Sequence, residues 1–200
     1  VTEDTEQVKK LRLITNSGVL DCRDALREAD GSIDKAVEIL RKKGLAKAEK
    51  KVTRETDQGR VESYVHLGGR IGVLLEIKCE TDFVARNETF RSLARDLCMH
   101  IAAMKPISVS KESVPQEILE REKSIYRESD ELKSKPENVR EKIVEGRLKK
   151  FYADSVFLEQ PFVKDEKMTV GEYIKQNIAK FGENIAVTRF IRFELGEECK

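Results

Sequence analysis

Residues 79–87 read CETDFVARN and bring a thiol (Cys79), two carboxylates (Glu80 and Asp82) and an aromatic ring (Phe83) close together in the chain. A cysteine nucleophile needs a base within reach to take its proton. The preceding histidine, His66, lies thirteen residues earlier on a different strand pattern, where its face can point away from Cys79. Glu76, Glu80 and Asp82 offer a carboxylate pair or a metal site, yet carboxylates at the end of a strand more often stay solvated or cap the next helix, and Asp82 stands just before a helical stretch. Cys22, Cys79, Cys98 and Cys199 lie far apart with no CxxC pair, and neither His66 nor His100 falls at ligand spacing from another candidate. No metal or cofactor site is therefore expected, and the thiols are expected to be reduced. The one Gly-Gly pair sits between two strand patterns instead of opening a helix that carries a Lys, so it does not read as a phosphate cradle. That leaves Phe83, which reads equally as a ring packed under the following helix or as a probe aimed at another molecule.

Composition narrows the partners. The 200 residues are 39% hydrophobic, and 38 Lys+Arg against 37 Asp+Glu leave a net charge of +1. Such a balance gives no overall field to draw nucleic acid or an anionic membrane. The locally basic stretch Arg41 to Arg54 has no interleaved aromatics on which bases would stack. The first residues, VTEDTEQVKK, are polar and acidic, unlike a signal peptide, and no apolar run approaches the roughly 18 residues of a membrane span. A soluble, cytoplasmic chain is expected, with no direct nucleic-acid or membrane partner.

The elements that must position Phe83 follow from periodicity. Residues 1–43 carry three short helical patterns: Val8, Leu11 and Ile14; then Cys22, Ala25, Leu26 and Ala29; then Ile33, Ala36, Val37 and Leu40. Ser32 is a credible N-cap for the third, and Gly44 reads as its C-cap. Residues 44–58 have too few large apolar groups to bury a stripe and read as a solvated helical connector. From residue 60 the period is two, with Val61, Ser63, Val65 and Leu67 on one face and Glu62, Tyr64 and His66 on the other. Gly68-Gly69-Arg70 reads as a hairpin turn, and the apolar run 71–77 as the second strand. A helix follows over 88–104. Two charged helical stretches, about 114–132 and 137–160, carry the facing stripes Ile118, Ile125 and Leu132 against Val139, Ile143, Leu148 and Phe151. They are separated by Ser134-Lys135-Pro136, with Pro136 at a first helical position. This predicts a helical hairpin within about 114–160. A helix at 169–181 and an alternating strand of Ile185, Val187, Arg189, Ile191 and Phe193 close the chain, and that strand has only the 60–78 hairpin to pair with. The fold class is α+β: a three-helix UBA-like module (1–43), a connector (44–58), and a core (59–200) with a small antiparallel sheet of about three strands, packed helices and the helical hairpin.

Three motifs occur in order. Leu11-Arg12 followed by TNSGVLDCRDAL (15–26) and LRKKG (40–44), then CETDFVARN (79–87), then GENIAVTRFIRFELGE (182–197), together resemble the elongation factor Ts family of bacteria over about residues 8–197. The chain departs from the family pattern at Asn16-Ser17, where Gly-Ala is usual and where Asn still tolerates positive φ, and at Lys78, where Asn often precedes the cysteine. With one α+β unit it is similar to the short form of the family.

The resemblance implies a guanine-nucleotide exchange factor that binds elongation factor Tu in its GDP-bound and nucleotide-free states and speeds GDP release without covalent chemistry of its own. It implies that Thr81, Asp82, Phe83 and Val84 press on the GTPase domain near its magnesium and phosphates, with the Phe83 ring as the wedge. Val8, Arg12, Val19 and Leu20 are implied to touch a helix of the same domain. The single α+β unit and the exposed terminal strand imply a homodimer, in which Cys199 lies near the tail and is able to crosslink copies under oxidising conditions. Two other readings remain open: a UBA-like helical adaptor that binds peptides and has no exchange activity, and a thiol enzyme centred on Cys79.

Overall fold

The structure is a computed structural model that describes residues 2–15, 17–129 and 135–197. Asn16, Leu132, Ser134 and Cys199 lie outside the described residues.

Three helices begin the chain: α1 (Thr2–Thr15), α2 (Val19–Glu28) and α3 (Ile33–Glu49). Leu11, Cys22, Ala25, Leu26, Ala29, Ala36 and Leu40 meet in a core of their own, with Val8 and Val37 packed against it. Ser32 caps α3 as the sequence predicts, its hydroxyl accepting from Lys35 N–H at 3.5 Å. Gly44 does not end the helix. It lies in the interior of α3, and a side chain there would start only 3.4 Å from Ala179 Cβ. Gly44 and the fully buried Ala48 let α3 approach the later helix α8 (Val170–Phe181) closely, so the expected solvated connector has one packed face.

The sheet has the order β1 (Gln58–Val65), β2 (Ile71–Cys79), β5 (Ile185–Glu194), with both pairings antiparallel. Between β1 and β2 the four residues Leu67 to Arg70 lie inside the His66 N–H to Ile71 carbonyl bond of 2.9 Å, and both glycines sit at positive φ. β2 is central, and Val73, Leu75, Ile77 and Cys79 point into the main core with α5 (Glu88–Met104) and α8. On the two edge strands the structure shows which face turns inward. On β1 the apolar set, Val61 and Val65, is exposed, while Glu62 is buried with Arg60 Nη2 2.8 Å from its carboxylate and Tyr64 packs on the core. On β5 a bulge changes the register between Glu76 and Ile77: Arg189 faces Glu76, Val187 faces Ile77, and Thr188 is the extra residue. Ile185 and Val187 therefore face the core, whereas Ile191 and Phe193 face outward and Phe190 packs inward.

The helices α6 (Gln116–Arg127) and α7 (Glu137–Ser155) lie side by side, with the Arg147 guanidinium over the Tyr126 ring and donating to Ser129 Oγ at 3.0 Å. Pro136 stands one position before α7, as its N-cap. Ile118, Ile125 and Val139 of the expected stripes remain exposed. A short ribbon that periodicity missed, β3 (Pro161–Phe162) and β4 (Asp165–Thr169), leads into α8, where Thr169 and Glu172 form a capping box.

Candidate partner-binding site

Strand β2 ends at Cys79, and the chain turns at once into α4 (Asp82–Ala85). Thr81 caps that helix, its hydroxyl accepting from Val84 N–H at 3.4 Å; Asn87 caps α5, accepting from Thr89 N–H at 2.8 Å. Two caps so close in sequence confine α4 to a single turn, a helix too short to persist unaided. Asp82 caps neither helix. It pairs with Arg86 at 3.3 Å on the open surface, where such pairs contribute little.

The turn divides its side chains sharply. Val84 and Ala85 are buried in the main core, and Phe83 is 79% exposed. The place under α5 where Phe83 was alternatively expected is filled by Phe90, fully buried and edge-on to Phe181 at 5.9 Å. Of the four residues singled out in this segment, Thr81, Asp82 and Phe83 thus face solvent and Val84 anchors the turn from beneath.

Sequence reasoning missed the residues that hold this corner from behind. Glu183, in the turn between α8 and β5, accepts from Thr81 N–H at 3.0 Å and from the Thr81 hydroxyl at 2.7 Å. Glu80 accepts from Asn184 N–H at 2.6 Å and lies 3.5 Å from Arg54 Nη1. Asn184 is buried and donates through Nδ2 to the carbonyls of Val52 and Arg54. The only signal in the sequence was that Gly182-Glu183-Asn184 opens the third motif, about a hundred residues from the corner it supports.

Cys79 has no catalytic setting. Its thiol donates to the Thr81 carbonyl at 3.2 Å, and burial, with Glu183 adding to it, pushes its pKa up to about 11. His66 lies at the other end of β2, roughly 25 Å away by strand rise, with Nδ1 3.0 Å from the Tyr64 hydroxyl. Cys22 and Cys98 are also buried free thiols. Among the described residues no group of His, Cys, Asp or Glu is arranged to hold a metal ion, and no helix is long and apolar enough to cross a membrane.

In the first three helices, Val19 and Leu20 open α2 and are exposed, as is Arg12, whereas Val8 is half-buried against the three-helix core. Ile14, expected to share the inward face of Leu11, is exposed at the end of α1 and lines a groove of about 430 Å³ with Leu40, Leu45 and Ala179. Two of the basic residues at that groove are paired, Lys43 with Glu28 at 2.6 Å and Lys47 with Asp21 at 3.0 Å.

The site is an exposed ring on a buttressed one-turn helix, and comparison with known sequences gives the class of the protein that carries it: a translation elongation factor. The family model described as Elongation factor TS matches residues 2–197, and the chain belongs to that family. It is 56% identical to elongation factor Ts of Thermotoga neapolitana over 191 residues, 96% of each chain. It is 54% identical to that of Fervidobacterium nodosum over 192 residues, 96% of this chain and 98% of the relative. With the protein of Carboxydothermus hydrogenoformans it shares 54% over 193 residues, 96% of this chain and 89% of the relative.

Proposed function

We propose that this chain is a guanine-nucleotide exchange factor that binds elongation factor Tu and promotes GDP release by pressing Phe83 against the supports of the partner's magnesium and phosphate site. The observation that carries this reading is the exposure of Phe83 on a corner whose neighbours, Val84 and Ala85, are fixed in the core. An aromatic anchor is the usual content of a localised interface hot spot. Affinity for GDP rests largely on its phosphates and metal, so moving the helices that hold them weakens binding without any contact to the base. The coupling is reciprocal: a factor that loosens GDP is loosened by GDP to the same degree, and the ternary state is transient. Bonds in GDP are neither made nor broken, so the chain performs no covalent chemistry.

Arg12, Val19 and Leu20 supply a second grip from the UBA-like module of residues 1–43, joined through 44–58 to the core of 59–200. Two copies associate through the outer face of the sheet in the cytoplasm. That arrangement is supported by four exposed apolar residues, Val65, Leu74, Ile191 and Phe193, grouped by register around Gly72: Leu74 lies opposite Ile191, and Gly72 lies between Val65 and Phe193. The test of the central reading is release of a fluorescent GDP from elongation factor Tu. Release accelerated by catalytic amounts of this protein is the expected result; release at the intrinsic rate with saturating protein would overturn the reading.

A further inference from the structure

We propose that Glu183 is a positioning residue that fixes the direction in which Phe83 is presented, and that Glu183 and Glu80 together lock the turn that follows α3, the β2–α4 corner and the α8–β5 turn into one mount. The inference rests on the exchange reading above.

The argument begins at the Thr81 hydroxyl. Its proton goes to Glu183 Oε1 at 2.7 Å, while its oxygen accepts from Val84 N–H at 3.4 Å, so both of its directions are used. The Thr81 backbone N–H goes to the other oxygen of the same carboxylate at 3.0 Å. A carboxylate that takes two donors from one residue fixes both the rotamer and the peptide plane, and charge-assisted bonds of this kind are about twice as strong as neutral ones. Phe83 sits two residues on, in a helix of four residues. The orientation of its ring is therefore set by Thr81, and that of Thr81 by Glu183.

The support is reciprocal. Glu80 reaches back to Asn184 N–H at 2.6 Å, so each segment's carboxylate captures the other's backbone. Asn184 and Lys51 carry the same tie to the turn that follows α3, through the carbonyls of Val52 and Arg54 and through a 2.6 Å bond from Lys51 Nζ to the Gly182 carbonyl. A ring that must displace a partner's helices transmits force only if its own base does not yield, and a misplacement of about 1 Å is enough to cost a large part of a rate that depends on orientation. Neither Glu183 nor Glu80 is a member of the main apolar core, so weakening the mount removes no core side chain.

The test is a saturation curve of GDP release from elongation factor Tu against factor concentration, for the full chain carrying Glu183→Gln. The amide keeps one acceptor for Thr81 and turns a donor toward the other bond. The expected result is a maximal rate lowered about three- to tenfold with the half-saturating concentration changed less than about twofold, the signature of an interaction used in the loosened state and not in docking. In a Phe83→Ala background the same substitution adds less than about 1.5-fold, because its effect runs through the ring. Amide exchange at Thr81 and Val84 accelerates while that of β2 does not. If Glu183→Gln unfolds the chain, Glu183→Asp, which retains the charge but is too short to hold both donors, is expected to give the same split. An unchanged maximal rate in Glu183→Gln, or full additivity with Phe83→Ala, overturns the inference; a Phe83→Ala chain that exchanges normally overturns instead the exchange reading on which it rests.

Discussion

Phe83 and the outer face of the sheet both present apolar side chains to water, and they are built in opposite ways. Phe83 is one ring on a single helical turn, flanked by Asp82 and Arg86. Val65, Leu74, Ile191 and Phe193 stand on three hydrogen-bonded strands, with Gly72 opening a hollow among them. Burial free energy scales with apolar area, so a broad flat face suits an association that lasts, and a lone ring suits a contact that must be made and broken in every cycle. What the ring lacks in area it recovers in rigidity, because its mount is tied by two carboxylates to elements distant in sequence.

The comparison breaks most readily at Phe83. Phe83→Ala is expected to slow factor-stimulated GDP release by about ten- to a hundredfold, equivalent to about 1.4 to 2.8 kcal/mol of lost preference for the loosened state. Its melting temperature should stay close to that of the parent, since an exposed ring contributes little to the core. A core aromatic truncated in the same way costs about 3–5 kcal/mol. A variant that melts far earlier yet exchanges normally while folded would return Phe83 to the core and remove one side of the comparison.

The sheet face is the next target. Leu74→Glu puts a carboxylate beside Ile191, and association between copies is expected to weaken at least about tenfold because the charge must be desolvated or left exposed. Sedimentation or light scattering at tens of micromolar should shift toward the 22.9 kDa chain, while exchange per chain falls less than in Phe83→Ala. A parent protein that is already monomeric at that concentration would show that the face serves some other purpose.

A smaller effect is expected at the first helices. Val19→Ser with Leu20→Ser should raise the half-saturating concentration by roughly three- to tenfold and leave the maximal rate in place, as losing one of two tethered contacts does. A fall in maximal rate with unchanged half-saturation would instead join this patch to the wedge.

Much of this was legible from sequence where one residue type answers to one environment. The apolar run of β2 announced a strand, and Ser32 a helix start. Legibility failed where small or polar residues take their meaning from distant neighbours. Gly44 looked like a stop signal, but α8 lies against it and the missing side chain serves packing. The alternation of β1 separated its two faces without saying which is inward: Glu62 and Arg60 pair beneath the edge strand, and Val61 and Val65 turn outward. A bulge at Thr188 reversed the faces of β5 midway, and no local residue type signals it. At the site, CETDFVARN was conspicuous, but its supports, Glu183 and Asn184, could be joined to it only by the antiparallel pairing of β2 with β5 that sets Cys79 opposite Ile185.

The smallest expected effect lies far from Phe83 and sharpens the contrast by leaving the ring untouched. His100 is fully buried between Phe157 and Phe162, with ring centroids 5.6 Å and 6.0 Å from its own. Val163 N–H donates to its Nδ1 at 3.2 Å, so the hydrogen resides on Nε2 and goes to Gln160 Oε1 at 3.0 Å. Gln160 then donates to the carbonyls of Met104 and Asp154, which ties α5, the end of α7 and the β3 ribbon together. A second proton on Nδ1 would set donor against donor, and burial holds the His100 pKa below its ordinary 6.5 despite the Gln160 bond, which acts the other way. The unfolded chain therefore takes up this proton at higher pH than the folded one. Its contribution to stability is complete above pH 6.5 and declines as pH falls through that value toward the folded-state pKa. Urea unfolding midpoints are expected to hold steady from about pH 8 to 7 and to decline below about 6.5, and His100→Asn should flatten that decline. Twelve residues of α5 separate His100 from the helix start beside α4, roughly 18 Å. Exchange per folded molecule should then be the same for parent and His100→Asn at each pH. A difference between them at a pH where both remain folded would mean that the acid-sensitive end of α5 reaches the Phe83 mount, and that rigidity at the corner is borrowed from the whole helix and not only from Glu183 and Glu80.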